Sequence, residues 1–160
     1  MWLSDRRAFL LGAVALGGCG FTPVYGPNGG GRALQGSIAL SDAATPDAYL
    51  FNRRFEDRMG RGVSPAYRLN VTLTTAQVGQ GSTSTGSTTR YRIDGTAAFD
   101  LVDLATGQSA IKGTTTAFTG YSTTGSTVAT LAAERDAQER LMVMLADQVI
   151  DRLFLRASTL

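Results

Sequence analysis

The sequence predicts an α+β fold: a single antiparallel four-stranded sheet with two helices packed on one face, in the order β-α-β-β-β-α. Three observations carry this. Residues 67 to 74 and 91 to 101 alternate apolar and polar side chains, which marks strands with one buried face. Two other stretches, following Thr45 and Thr127, repeat apolar residues three and four apart, the period of an amphipathic helix. The connections between the later strands are short, which favours antiparallel neighbours. Helices and strands with one apolar side each are satisfied together when both helices cover the same side of the sheet.

In chain order, residues 1–18 read as an export signal. Arg6 and Arg7 form a positive start, and FLLGAVALGG is an apolar run too short to span a bilayer stably. Arg6-Arg7-Ala8-Phe9-Leu10 also matches the core of a twin-arginine export motif, although two positive residues of a general signal explain it equally well. Leu16-Gly17-Gly18 before Cys19 resembles the bacterial lipobox, where slim residues let a peptidase cut beside a lipidated thiol. Cys19 is then the lipidation site and first mature residue. Several acyl chains make a stable anchor where one is marginal. Gly20, in place of an inner-membrane-retaining Asp, favours the outer membrane.

Residues 19–33 contain two prolines and a glycine run and are expected to be a lipid-anchored extended linker. The folded domain should occupy 34–160. Residues 34–40 place Leu34, Ile38 and Leu40 on alternate positions, a short strand. Thr45-Pro46-Asp47 is a helix start: a hydroxyl cap, a proline whose missing N–H costs nothing, and an acid in the first turn. Phe51, Phe55 and Met59 give this helix its buried stripe up to Gly60, while Arg53, Arg54, Glu56, Asp57 and Arg58 form a charged face expected to be solvated. Tyr67, Leu69, Val71 and Leu73 face the core from the next strand. GQGSTSTGST, residues 79–88, is expected to be a loop. Tyr91, Ile93, Ala97, Phe99 and Leu101 line a second strand; DLATGQ turns the chain; residues 109–121 form a third, with Ile111, Ala117 and Tyr121 on one face. Ala137, Leu141, Leu145, Val149 and Leu153, beside Met142, Ala146, Ile150 and Phe154, make the last segment a long helix with Asp136–Arg140 and Arg135–Glu139 as i,i+4 pairs.

The composition excludes several functions. The 160 residues contain no His and one Cys, so zinc sites, Cys/His pairs and Ser-His-Asp triads cannot form within the chain. No metal or cofactor is expected beyond the covalent lipid on Cys19. A formal charge of +2, part of it in the N-terminal segment, gives no electrostatic footprint for nucleic acid. Asp94 with Asp100 and Glu134 with Asp136 are the available carboxylate pairs, but no nucleophile, base and orienter stand together, so no catalysis is expected. The sheet face away from the helices carries Arg68, Arg90 and Arg92, joined by Lys112 if the third strand, whose register the pattern does not fix, turns it the same way, and guanidinium groups gathered on one face can hold phosphate oxygens. Scattered solubility charges explain the set equally well.

Two stretches resemble a known family. Cys19-Gly20-Phe21-Thr22-Pro23-Val24-Tyr25-Gly26 is similar to the C-G-F-x-P-[LV]-Y-G start of mature alphaproteobacterial LptE lipoproteins, and Ala132-Ala133-Glu134-Arg135-Asp136-Ala137 resembles the A-E-R-D-A opening of that family's last helix. The resemblance implies an outer-membrane lipoprotein on the periplasmic face that plugs the lumen of an LptD-like β-barrel and helps insert lipopolysaccharide into the outer leaflet. By analogy it also implies lipopolysaccharide binding through Arg90 and Arg92, with Arg68 and Lys112 behind them. The alternative is a periplasm-facing lipoprotein that binds a peptide or a transporter component without a barrel.

Overall fold

The computed structural model describes residues 30–82, 86, 88–123 and 125–157. The expected export signal, Cys19 and the expected linker up to residue 29 lie outside the described residues. The elements are α1 (Gly30–Leu34), β1 (Ile38–Leu40), α2 (Pro46–Met59), β2 (Tyr67–Ser82), β3 (Thr88–Asp103), β4 (Ser109–Ser122) and α3 (Thr127–Arg156). They form one four-stranded sheet in the order β1-β2-β3-β4, with the long helices on one side. The expected β-α-β-β-β-α succession is present.

One expectation needs correcting. The sheet is mixed, because β1 runs parallel to β2, with Ile38 opposite Tyr67 and Leu40 opposite Leu69. The cause is α2. It carries the chain back along the sheet between the two strands, so β2 starts at the end where β1 started, as in any strand-helix-strand crossover. The β2-β3 and β3-β4 pairs are antiparallel as expected.

Two boundaries also differ. Instead of an extended linker running into a strand at residue 34, Gly30–Leu34 is a five-residue helix whose Leu34 is buried in the core, and Gly36, at φ 66°, turns the chain into β1. Burial of Leu34 outweighs the poor helix propensity of two glycines. Residues 79–82 belong to β2 and are not loop, pairing with β3 through Gly79 opposite Tyr91 and Ser82 opposite Thr88. Gly79, Gln80 and Gly81 offer no side chain to the core, so alternation could not announce them; ladder pairing holds them, together with the Thr89 hydroxyl donating to the Gly81 carbonyl.

The helices form where their caps and stripes dictate. Thr45 Oγ1 accepts the N–H of Ala48 at 3.1 Å, and Gly60, at φ 77°, ends α2 while donating its N–H to Glu56. Ser126 Oγ caps α3 by accepting from Ala129 at 3.2 Å. Phe51, Phe55 and Met59 meet Leu69, Ile93, Ala97, Leu101 and the α3 row from Ala137 to Leu153 in one buried cluster. On all three long strands the odd-numbered residues face this cluster, so even-numbered ones face outward.

The charged side of α2 is not simply solvated. Asp147 of α3 accepts from Arg54 Nε and Nη2 at 2.9 and 3.0 Å and from Arg58 Nη1 at 3.1 Å, and Arg53 pairs with Glu139. These contacts advance along both helices together, so α2 and α3 run parallel. Asp136 and Arg140 form their i,i+4 pair, whereas Glu139 turns to Arg53.

Candidate functional site

The outward sheet face is polar along most of its length. Thr74, Thr96 and Thr116 stand opposite one another across β2, β3 and β4, and Asn70, Asp100 and Lys112 form a second cross-strand row. This face leads to a groove where the sheet runs out beyond the core.

Arg90 and Arg92 share the outward face of β3. Arg92 donates from Nε to Asp94 Oδ1 at 2.7 Å, and its guanidinium carbon lies 4.3 Å from the centre of the Phe118 ring, so one carboxylate and one aromatic face fix its orientation. Phe118 itself is 61% exposed. Gly120, opposite Arg92, adds no side chain and leaves a gap beside the ring. Gln80, Arg90, Arg92, Phe118, Gly120 and Ser122 thus line an open groove of about 430 Å³. Beneath it, on the inner face, Tyr91 and Tyr121 stack with ring centres 5.5 Å apart, and the Gln77 amide donates to the Tyr121 hydroxyl. Burial, and after it the charge of Glu134, raise the pKa of Tyr121 above its ordinary value, so it stays a neutral phenol.

The four cations do not gather into one cluster. Lys112 lies 3.3 Å from Asp100, and Arg68 stands opposite Val102. Val102 lies twelve steps along β3 from Arg90, a span of roughly 40 Å. Arg90 and Arg92 are therefore neighbours, while Arg68 and Lys112 occupy the far end of the same face. Three of the four candidate acids are engaged: Asp94 holds Arg92, Asp100 meets Lys112 and the Ser109 hydroxyl, and Asp136 holds Arg140, while Glu134 acts on Tyr121 through its charge. Among the described residues, no three His, Cys, Asp or Glu side chains converge as a metal site, and no helix is long and apolar enough to cross a membrane.

Phe118, Gly120 and Gln80 complete the groove and were not singled out in the sequence. Phe118 had a legible signal, since a large aromatic on an even position of a strand whose odd positions face inward must sit on the wet face. The Gly120 gap had none, because it arises from what stands across the ladder.

A family model described as LptE, lipopolysaccharide-assembly, matches residues 36–153. The chain belongs to the LptE family. Similar folds occur among solved lipoprotein structures. A putative lipoprotein from Caulobacter crescentus superposes on the LptE-family chain with a TM-score of 0.67 at 22% identity, covering 81% of this chain and 96% of that one. The rare lipoprotein B of Shewanella oneidensis gives 0.54 at 16% identity, covering 77% and 92%. A minor lipoprotein from Acinetobacter baumannii gives 0.54 at 20%, covering 74% and 89%. At these identities the likeness is one of fold. No curated protein matches the chain.

Proposed function

We propose that this LptE-family protein is an envelope lipoprotein, anchored in the outer membrane through Cys19, that helps deliver lipopolysaccharide to the outer leaflet as plug and assembly partner of an LptD-like β-barrel. The family match over residues 36–153 is the observation that carries the reading. The named lipoprotein relatives agree with a lipid-anchored envelope location. The outward sheet face supports a barrel partner, because the lumen of a large barrel is polar and a face of threonines bonds to it better than an apolar one would.

Lipopolysaccharide contact belongs to the groove end of that face. Its phosphates are anionic, and Arg90 and Arg92 stand side by side there next to the exposed Phe118 ring. Arg68 and Lys112 are too distant to join the same phosphate group.

Detergent extraction tests the partnership: the protein should co-purify with a barrel of much larger mass. A folded protein extracted with a peptide or transporter component, and no barrel, overturns it in favour of the alternative. For lipid contact, Arg90→Glu with Arg92→Glu should weaken lipopolysaccharide binding about tenfold or more, since each charged contact contributes roughly 1.5–3 kcal/mol, while lowering the melting temperature only slightly, because the Arg92–Asp94 pair that it breaks is exposed. Unaltered binding removes these two residues from the site.

A further inference from the structure

The outer edge of β4, which no strand among the described residues pairs, carries a feature that the groove and the outward face do not use. β4 closes the sheet on one side, and its ladder partner β3 takes only half of its backbone groups. The Thr123 N–H donates to the Thr89 carbonyl at 3.0 Å, which fixes the phase: odd residues of β4 turn their N–H and C=O toward β3, and even residues turn theirs away. Two of the outward carbonyls are capped by arginines reaching round from α3. Arg156 donates to Lys112 O at 3.4 Å, and Arg140 donates to Gly120 O at 3.2 Å.

Between these caps lie residues 113–119, GTTTAFT, with no charge, no proline and no break in register against β3. Thr114, Thr116 and Phe118 direct their backbone groups to the open side. Protein edges are usually protected by a charge, a proline or a bulge, and this window has none. Its outward backbone groups are a template for another strand.

We infer that the 113–119 edge pairs with an extended segment of another polypeptide, one whose uncharged run of about seven residues is flanked by carboxylates. The caps argue for the carboxylates. Arg140 gives one nitrogen to Asp136 and another to Gly120, and a guanidinium fork has N–H donors left over. Those Arg140 donors stand where an added strand would leave the window; at the opposite exit Lys112 is shared with Asp100 and Arg156 holds the Lys112 carbonyl, so Arg140 supplies the main choice of a carboxylate. The same arrangement disfavours a second copy of this chain. Antiparallel pairing about Thr116 would set Lys112 opposite Gly120, and so bring Lys112 and Arg156 of one molecule against Arg140 of the other. Strand addition supplies main-chain hydrogen bonds, and the flanking charges supply the choice of partner.

The test uses the full chain in detergent, with a synthetic nine-residue peptide of alternating threonines and valines between two aspartates, and a twin with lysines at both ends. Amide exchange at Thr114, Thr116 and Phe118 should slow about tenfold or more with the aspartate peptide and less with the lysine twin. Thr116→Pro should abolish the protection without changing the melting temperature, because that N–H makes no ladder bond. Arg140→Glu with Arg156→Glu should reverse the preference between the peptides and keeps the test valid if the proline variant does not fold. No slowing, equal slowing by both peptides, an unreversed preference, or peptide-independent protection in a sedimenting dimer overturns the inference.

Discussion

Thr115 and Thr119 lie four residues apart on the inward face of β4, and one hydrogen bond separates them. Thr119 donates its hydroxyl to the Ala137 carbonyl of α3 at 3.0 Å, whereas the buried Thr115 hydroxyl has no partner among the described residues. A valine keeps the shape and removes the hydroxyl, so the two substitutions should act in opposite directions. Thr119→Val should cost about 1 kcal/mol, and Thr115→Val should gain about 1 kcal/mol by removing a desolvated polar group. Urea unfolding midpoints of the two variants give the comparison, and shifts of the same sign would contradict it. Gly95 is set by space. A Cβ there would lie 2.9 Å from Leu141 Cδ2 and 3.0 Å from its Cγ, and Leu141 is fully buried among neighbours that prevent its retreat. Gly95→Ala should therefore destabilise by about 1–3 kcal/mol. Combined with Leu141→Ala it should add little further cost, which a double-mutant cycle measures. At this scale the sequence shows which residues face inward, but not which inward hydroxyl finds a carbonyl, since that depends on how closely α3 settles over β4.

Between elements, Asp147 joins the two long helices. Burial by itself would raise its carboxyl pKa, but the hydrogen bonds from Arg54 and Arg58 prevail and hold it below the ordinary 3.8. The depressed value means that the stability it contributes is complete above about pH 3.8 and is lost as the pH falls through the lowered native value. Asp147→Asn should cost about 1 kcal/mol at pH 7, a figure reduced for partial solvent exposure. The difference from the parent should shrink toward zero in acid, as thermal melts at pH 7 and pH 3 would show; a cost independent of pH would mean that packing, not charge, is what Asp147 supplies. The apolar stripe and threonine cap of α2 were readable from spacing, but its charged side was not. Arg54 and Arg58 look like a solvated face until α3, whose Asp147 lies 93 and 89 residues later in the chain, is laid parallel beside them. The direction of β1 was hidden for a similar reason: three residues specify a strand, not the neighbour it joins.

Across the whole molecule, sheet and helix have unequal reach. The 16 residues of β2 extend roughly 53 Å, while the 30 residues of α3 span about 45 Å and its first turns are largely exposed. The β2-β3 hairpin accordingly passes beyond the core, with residues 75–80 exposed. Amides of residues 75–82 should exchange faster than those of 69–73, by orders of magnitude, because only the latter sit beneath α2 and the core; uniform protection along β2 would contradict this. The groove of Arg90, Arg92 and Phe118 stands near that overhanging end. The N-terminal side of the domain lies at the other, since Gly36 donates to Met59 and Ala66 donates to Ser37 where α2 ends and β2 begins. By itself the sequence determined the types of the two long helices and three long strands, their inward faces, the outward position of Arg68, Arg90 and Arg92, and the family resemblance carried by the residues after Cys19. Those are local properties: a period, a cap or a motif is complete within a short stretch of chain. Tertiary structure alone decided the parallel pairing of β1, the strand continuing through residues 79–82, the separation of Arg68 and Lys112 from Arg90 and Arg92, and the capped open edge of β4. Each depends on which backbone or side chain arrives from a distant segment, and periodicity records only whether a side chain is buried, not what it meets.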